Sequence, residues 1–230
     1  MLPEVRDALG LIDSAFDTAD PGIGLWKASL AAGAPMTCQP NGTYLDVGCC
    51  EADWLHMAHR AWPDALLHGV DWRAPNVTDG DGKVTRRQGN ALDPNLYAPE
   101  SVDGIVSLSA VEHFGLGHYG SDGNKDPRDA DGDTHIIENC WRWLKLGGWL
   151  YFDVPYTTRE YRVCGTGYRL YDDAALRARL LWCRPWTLAW RGYANTWDTG
   201  AIIERPETEP EDGRLYYYTA VCWVKTKGDA

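Results

Sequence analysis

Short apolar runs recur along the chain, and stretches with helical spacing or polar loops separate them. Such runs are typical of strands in a parallel sheet, because a strand covered on both faces does not need to alternate apolar with polar residues. The candidate strands of the central part are 43–47, 65–70, 83–88, 102–108 and 149–154. Their alternation with helices predicts an open α/β sheet with right-handed crossovers.

The two ends of the chain have other patterns. Residues 4–16 and 23–32 have helical spacing and predict an N-terminal helical cap over 1–35. After Pro155 we expect one helix over 172–182 and two late strands over 187–191 and 214–224, the second rich in strand-favouring residues. The expected fold is therefore a Rossmann-like three-layer α-β-α sandwich. Its sheet has seven strands, mostly parallel, with an antiparallel last strand.

Composition and charge fit one domain over residues 1–230, with a core at 43–156 and a substrate-side, sheet-closing segment at 157–230. The net charge of -11 argues against a protein that wraps nucleic acid, since phosphate contacts need clustered Lys and Arg. No apolar run approaches the ~20 residues of a membrane span, and the N-terminus does not read as a signal peptide. The seven cysteines show no C-x-x-C spacing, so we expect a reduced, cytoplasmic protein.

The stretch T-Y-L-D-V-G-C-C-E at 43–51 predicts a strand that ends at Gly48 and turns into a helix. In open α/β sheets such a corner brings the backbone close to a ligand and presents the free N–H groups of a helix N-terminus. A dinucleotide fingerprint needs three glycines, and this stretch has one. Asp46 and Glu51 make the corner acidic, which suits a cationic ligand better than a phosphate.

The ordered set of motifs resembles the class I S-adenosylmethionine-dependent methyltransferases over about residues 44–156. The D-V-G at 46–48 is similar to the family's first motif, and Asp71 matches the acid that holds the ribose hydroxyls. The L-K-L-G-G at 144–148 is similar to the turn before the fifth strand, where Gly147 and Gly148 predict the end of a helix over 134–144. The resemblance implies S-adenosyl-L-methionine as cofactor. The implied cofactor-binding residues are Asp46, Gly48, Cys49, Cys50, Asp71, Trp72, Asn90, Ala91 and Ser109.

Cys49 and Cys50 depart from the family pattern, because they stand where the family has glycines. Either the loop takes another path, or cofactor binding is weakened or lost. A helix N-terminus lowers the pKa of a thiol, but no partner histidine is placed to make Cys49 a nucleophile.

A second resemblance lies in V-E-H-F-G-L-G-H-Y-G at 111–120, followed by D-G-D at 131–133. These segments are similar to a little-characterised bacterial family of methyltransferase-like proteins that is often assigned to surface-saccharide work. His113 is the candidate general base, with Glu112 orienting it; the alternative is a role in the cofactor pocket or as a helix cap. His118 and Tyr119 are further catalytic candidates, or they shape the lid.

An acidic loop before the predicted helix invites a calcium interpretation. Aligned as an EF-hand, its first ligand position falls on Pro127, which has no side-chain oxygen. We expect a solvated loop in which Asp133 or Thr134 caps the helix, with no metal assigned and a weaker site left open. Further along, Arg159, Arg162 and Arg169 either bind an anionic group or offset the acidic surface.

The resulting hypothesis is a methyltransferase that acts on an oxygen or nitrogen of a small-molecule or saccharide acceptor. One alternative is a non-catalytic methyltransferase-fold subunit that binds a ligand or partner. A second is a nucleic-acid methyltransferase, which the acidic balance disfavours. The D-V-P-Y at 153–156 has the outline of an amino-methylating motif, but it follows the fifth strand and not the fourth. No membrane partner is expected, and a homodimer stays open.

Overall fold

The computed structural model describes residues 21–50, 53–73, 77–119, 128–165, 167–181, 184–195, 202–208 and 217–227. The predicted helix over 4–16 lies outside these residues. The helices are α1 Pro21–Ala31, α2 Asp53–Ala61, α3 Gly132–Trp143 and α4 Asp173–Ala175, which continues as a π-helix over Leu176–Leu181; Val111–His113 forms a 3-10 turn. Within the described ranges, no helix has the length and apolar character to cross a membrane.

The described strands number eleven. They are β1 Thr43–Val47, β2 Leu66–Asp71, β3 Val77–Thr78, β4 Val84–Gln88, β5 Val102–Ser107, β6 Leu144–Tyr156, β7 Arg162–Cys164, β8 Tyr168–Leu170, β9 Trp186–Asn195, β10 Ile202–Ile203 and β11 Tyr217–Lys225. Nine of them form one sheet in the order β10-β9-β11-β6-β5-β1-β2-β4-β3, and β7 pairs with β8 in a separate hairpin. The five central strands β4, β2, β1, β5 and β6 are parallel, while β11 is antiparallel to both β6 and β9.

The Rossmann-like, mostly parallel sheet is therefore confirmed, with one difference in strand count. The seven longer strands are those expected, and the two-residue strands β3 and β10 extend the sheet at its edges. Strand order reverses between β1 and β5, because the chain continues from β1 to β2 and β4 on one side and to β5 and β6 on the other. Ligands of open α/β sheets bind outside the carboxyl ends of the strands at such a reversal.

Each face of the sheet buries its own apolar cluster, because successive side chains of a strand point to opposite faces. On one face Tyr44 and Trp149 stack with ring centroids 5.8 Å apart, and Trp26 of α1 contacts Trp54 of α2 edge-on. On the other face, residues of α3 and α4 pack on Phe152 and its neighbours in β6. Helices on both faces complete the three layers.

The end of α3 differs from the prediction. The helix ends at Trp143, and the Leu144 N–H donates to the Cys140 carbonyl while Leu144 is already extended and paired with Val102. Gly147 and Gly148 lie inside β6, where the register with β5 shifts and Gly147 has φ +82°. The prediction that these glycines end the helix is therefore wrong, because strand pairing begins before them.

Gly104 of β5 supports the stacked aromatic pair and offers a test of the packing. A Cβ added there would lie 2.3 Å from the Trp149 ring, and that ring is stacked on the ring of Tyr44. Because the ring cannot move without disturbing the core, Gly104→Ala should lower the free energy of unfolding by about 2 kcal/mol. Urea unfolding of this variant is compared with Gly80→Ala, where an added Cβ meets nothing within 4 Å. Equal stability of the two variants would contradict the packing described.

Candidate active site

The corner after β1 is built around Gly48. Its backbone has φ +81°, which favours glycine, and its N–H donates to the Val70 carbonyl at 2.8 Å. A Cβ at this position would lie 2.4 Å from the Cβ of Ala110, in the segment that follows β5. Glycine therefore lets the segments after β1 and β5 approach each other at the carboxyl edge of the sheet.

Asp71 at the end of β2 is buried and accepts backbone hydrogen bonds from two loops. The Cys50 N–H donates to Oδ2 at 3.1 Å, and the Arg73 N–H donates to Oδ1 at 2.7 Å. The Arg73 guanidinium adds an Nε contact to Oδ1 at 3.3 Å. The carboxylate thus points toward the loop after β1.

The two cysteines of the loop have different environments. Cys49 is buried against Gly69 of β2, and burial, together with the charges of Asp46 and Asp71, raises the pKa of its thiol. Cys49 therefore stays protonated and is no nucleophile. Cys50 is exposed, with φ +38°. Cys49 thus packs under the corner, whereas Cys50 lies at the surface.

The remaining predicted cofactor residues are spread along the same edge. Asp46 is buried in β1, and Asn90 and Ala91 follow β4, where the Asn90 Oδ1 accepts the Leu92 N–H at 3.0 Å. Trp72 is half-buried after β2, with its carbonyl accepting from Gln88. Ser109 follows β5 in the left-handed region, with φ +44°.

Glu112 is fully buried beside Ser109. The Ser109 hydroxyl donates to Oε1 at 2.9 Å, whereas Oε2 is buried and has no hydrogen-bond partner among the described residues. Burial raises the pKa of Glu112 to about 7, although the Ser109 hydrogen bond and the charge of Arg169 oppose the shift. A carboxyl that takes up a proton near neutral pH therefore lies at this edge.

His113 is partly buried, and one hydrogen bond defines the tautomer of its ring. Its Nδ1–H donates to the Gly167 carbonyl, which leaves Nε2 as the acceptor nitrogen, 3.5 Å from the Tyr119 hydroxyl. Glu112 does not orient the ring in the way the sequence suggested, because its Oε1 lies 3.7 Å from Nε2 and on the acceptor side. Burial lowers the pKa of His113; the hydrogen bond to Gly167 opposes this shift, and the charges of Arg73 and Arg169 add to it.

The two lid candidates differ in position. Tyr119 is half-buried, and its ring lies under the Arg73 guanidinium, with 4.2 Å from Cζ to the ring centroid. His118 is exposed and contacts Tyr119 edge-on. Tyr119 therefore links the His113 segment to the end of β2, whereas His118 is more exposed to solvent than Tyr119.

Arg169 of β8 is a structural residue that the sequence analysis misplaced. It is fully buried, and its guanidinium donates to the carbonyls of Phe114 at 2.6 Å and Ala130 at 3.2 Å, among others. It neither binds an external anion nor offsets a surface charge; it holds the His113 segment and residues 128–133 together. This role could not be predicted from the sequence, because a residue that binds backbone carbonyls leaves no pattern.

Asp133 is also structural and does not cap α3. The cap position falls on Asp131, whose side chain makes no capping hydrogen bond. Fully buried, Asp133 accepts from the Tyr171 hydroxyl at 2.8 Å and from the Arg179 guanidinium at 2.7 and 2.8 Å. Over the described ranges, no group of three or more His, Cys, Asp or Glu side chains is arranged to hold a metal ion.

Comparison with known proteins identifies the fold. No protein-family model and none of the curated proteins matches the chain. Its sheet and helices are similar to those in the complex of the Haloferax volcanii Trm112 methyltransferase activator with a proposed methyltransferase: 18% identity, 90% of each chain covered, TM-score 0.59. They are also similar to the Burkholderia thailandensis 1,6-didemethyltoxoflavin-N1-methyltransferase with bound S-adenosylhomocysteine: 13% identity, 93% of this chain and 80% of that one, TM-score 0.58.

This chain has a methyltransferase fold. A third match is the 4+2 cyclase SpnF, with 13% identity, 88% of this chain and 82% of that one covered, and a TM-score of 0.56. Because a cyclase shares the architecture, the fold alone does not determine the reaction, which has to be argued from the side chains at the carboxyl edge.

The raised pKa of Glu112 predicts a pH-dependent stability. The folded protein binds a proton on Glu112 up to about pH 7, while the unfolded chain releases it near its ordinary value of 4.5, so stability contributed by the neutral carboxyl is lost as the pH rises between these values. The loss is on the order of 3 kcal/mol. Glu112→Gln should remove this pH dependence in thermal or urea unfolding between pH 5 and pH 8. An unchanged slope in the variant would contradict a buried, protonated Glu112.

Proposed function

We propose that this protein transfers a methyl group from S-adenosylmethionine to an oxygen or nitrogen of a small-molecule or saccharide acceptor. The observation that carries the proposal is the buried carboxylate of Asp71, at the carboxyl end of β2 and beside the Gly48 corner. In a methyltransferase fold this is the position at which a ribose diol is bound, because an ionised carboxylate accepts two hydroxyl hydrogen bonds.

The hydrogen bonding of Asp71 is compatible with a diol. A carboxylate has about four acceptor positions, of which the backbone N–H groups of Cys50 and Arg73 take two. The third partner is the side chain of Arg73, which is 40% exposed and rotatable. A ribose hydroxyl can take its place without any change in the backbone.

The charge of the corner also fits a cationic cofactor. Buried carboxyl groups lie at the ends of β1 and β2, after β5 and near the end of β6: they belong to Asp46, Asp71, Glu112 and Asp153. In a low-dielectric site their ionised members favour a sulfonium over a phosphate. When bound, the cofactor supplies the electrophilic methyl group; the protein aligns the acceptor with it and excludes water.

His113 is the proposed general base. Its lowered pKa keeps the imidazole neutral at pH 7, and the donation of Nδ1–H to Gly167 leaves the Nε2 lone pair toward the crevice. With the cofactor bound, an acceptor hydroxyl near Nε2 would lose its proton to that nitrogen as its oxygen takes the methyl group from the sulfonium sulfur, which would leave as the neutral thioether of S-adenosylhomocysteine. The Tyr119 hydroxyl lies 3.5 Å from Nε2, where it positions the acceptor or takes part in the proton transfer itself.

A small-molecule acceptor is supported by the neighbour from Burkholderia thailandensis, which holds 1,6-didemethyltoxoflavin. We also propose a reducing, cytoplasmic setting, which suits the buried thiols of Cys38, Cys49, Cys140 and Cys222. One observation favours a second candidate, a binding or partner subunit that does not methylate: the Arg73 guanidinium already lies on the carboxylate that a ribose would need.

Cofactor binding separates the two candidates. Isothermal titration with S-adenosylhomocysteine should show saturable binding to the wild type. Asp71→Asn should weaken it about tenfold to a hundredfold, because charge-assisted hydrogen bonds to the ribose are lost. The control is Asp64→Asn, which removes an exposed carboxylate that precedes β2, at the opposite end of that strand from Asp71. Absence of binding to the wild type would favour the second candidate.

Loss of the base should lower turnover and leave cofactor binding intact. With an acceptor in hand, His113→Gln is expected to lower kcat by about 10²- to 10⁴-fold, whereas the exposed His118→Gln should have a much smaller effect. The wild-type rate should fall as the pH drops through the lowered pKa of His113, below about 6.5, because the base is then protonated. A rate independent of pH across that range, or equal losses in both variants, would refute the assignment.

A further inference from the structure

The Arg73 side chain connects the cofactor end of the crevice with the base. Its Nε lies 3.3 Å from Asp71 Oδ1, and its Cζ lies 4.2 Å from the centroid of the Tyr119 ring. The Tyr119 hydroxyl in turn lies 3.5 Å from His113 Nε2. Four side chains therefore form one continuous set of contacts from the end of β2 to the turn after β5.

We infer that Arg73 is a positioning residue that competes with the cofactor ribose for Asp71, so that cofactor binding releases Tyr119 from its place over His113. This inference rests on the proposed function. The inference goes beyond that function because it assigns a role to Arg73, to which the resemblance assigns none. It also links the cofactor end of the site at Asp71 with His113.

The contacts of Arg73 are of the kind that a ligand displaces. The backbone N–H groups of Cys50 and Arg73 hold the Asp71 carboxylate whether or not the guanidinium is present. The guanidinium is partly exposed, and such an ion pair adds little to stability. Its contact with one face of Tyr119 is a cation–π interaction that is similarly weak at an exposed site. A diol that donates two hydrogen bonds to the buried carboxylate can therefore replace this single, partly exposed contact of the guanidinium.

The charge of Arg73 also acts on the base. The groups that face His113 are Glu112 beside it, His118 and Tyr119 on the following segment, Tyr168 and Arg169 of β8, and Arg73 after β2. Burial lowers the pKa of His113, and the charges of Arg73 and Arg169 lower it further. Displacement of the guanidinium therefore changes both the access to Nε2 and its basicity.

The first test measures competition. Titration of Arg73→Gln with S-adenosylhomocysteine should show a dissociation constant about two- to fivefold lower than that of the wild type, because no guanidinium has to leave Asp71. Arg73→Lys should fall between the two, since it keeps the charge without the planar group. The matched control is Arg177→Gln, which removes an exposed charge on the π-helix and should leave the affinity unchanged. Equal or weaker binding by Arg73→Gln, with a wild type that binds, would overturn the competition but not the proposed function; a wild type that does not bind overturns both.

The second test measures the link to Tyr119 and His113. In a double-mutant cycle, Tyr119→Leu should lower the dissociation constant for S-adenosylhomocysteine in the wild-type background, because the ring then no longer holds the guanidinium. The same substitution should leave that constant unchanged in Arg73→Gln, since that variant has no guanidinium for the ring to hold. Without any cofactor, the His113 ring protons followed by NMR should titrate at higher pH in Arg73→Gln and at the wild-type pH in Arg177→Gln. Additive effects in the cycle, or an unchanged His113 titration, would overturn the link.

Discussion

The hydrogen bonds to the Asp71 carboxylate fix the geometry of the site. One oxygen accepts from the loop after β1 and the other from the loop after β2, so a single buried side chain determines how these loops lie at the edge of the sheet. The approach of Gly48 to Ala110 fixes the third loop against the first. Backbone contacts therefore join the loops at this edge of the sheet, and such contacts favour a pre-organised site.

The base depends on a second constraint, the burial of Arg169. Its guanidinium binds carbonyls on both sides of residues 115–128, and Asp133 with Arg179 completes a buried ionic cluster. A buried cation without such partners would be very unstable, so these partners determine where the segment lies. The Gly167 carbonyl, two residues before Arg169, orients the His113 ring. The Gly48 corner and His113, the proposed base, are thus held by different networks that meet at Arg73 and Tyr119.

The sheet could be predicted because apolar runs and helical spacing are local properties of the sequence. The same logic placed Asp71 at the end of β2, since the acid directly follows an apolar run. Long-range partners could not be predicted: Arg169 and Phe114 are 55 positions apart, and nothing in the pattern joins them. Arg73 was missed for the same reason, because its role depends on Tyr119. The glycines at 147 and 148 were misread because a strand bulge and a helix end favour the same residue type.

Crystals grown with S-adenosylhomocysteine test the central claim most directly, because they show which atoms Asp71 contacts when the cofactor product is present. The account predicts ribose hydroxyls within hydrogen-bond distance of the Asp71 oxygens, with the backbone N–H groups of Cys50 and Arg73 still donating and the Arg73 guanidinium moved away. A ligand bound elsewhere, with the guanidinium still on Asp71, would contradict it.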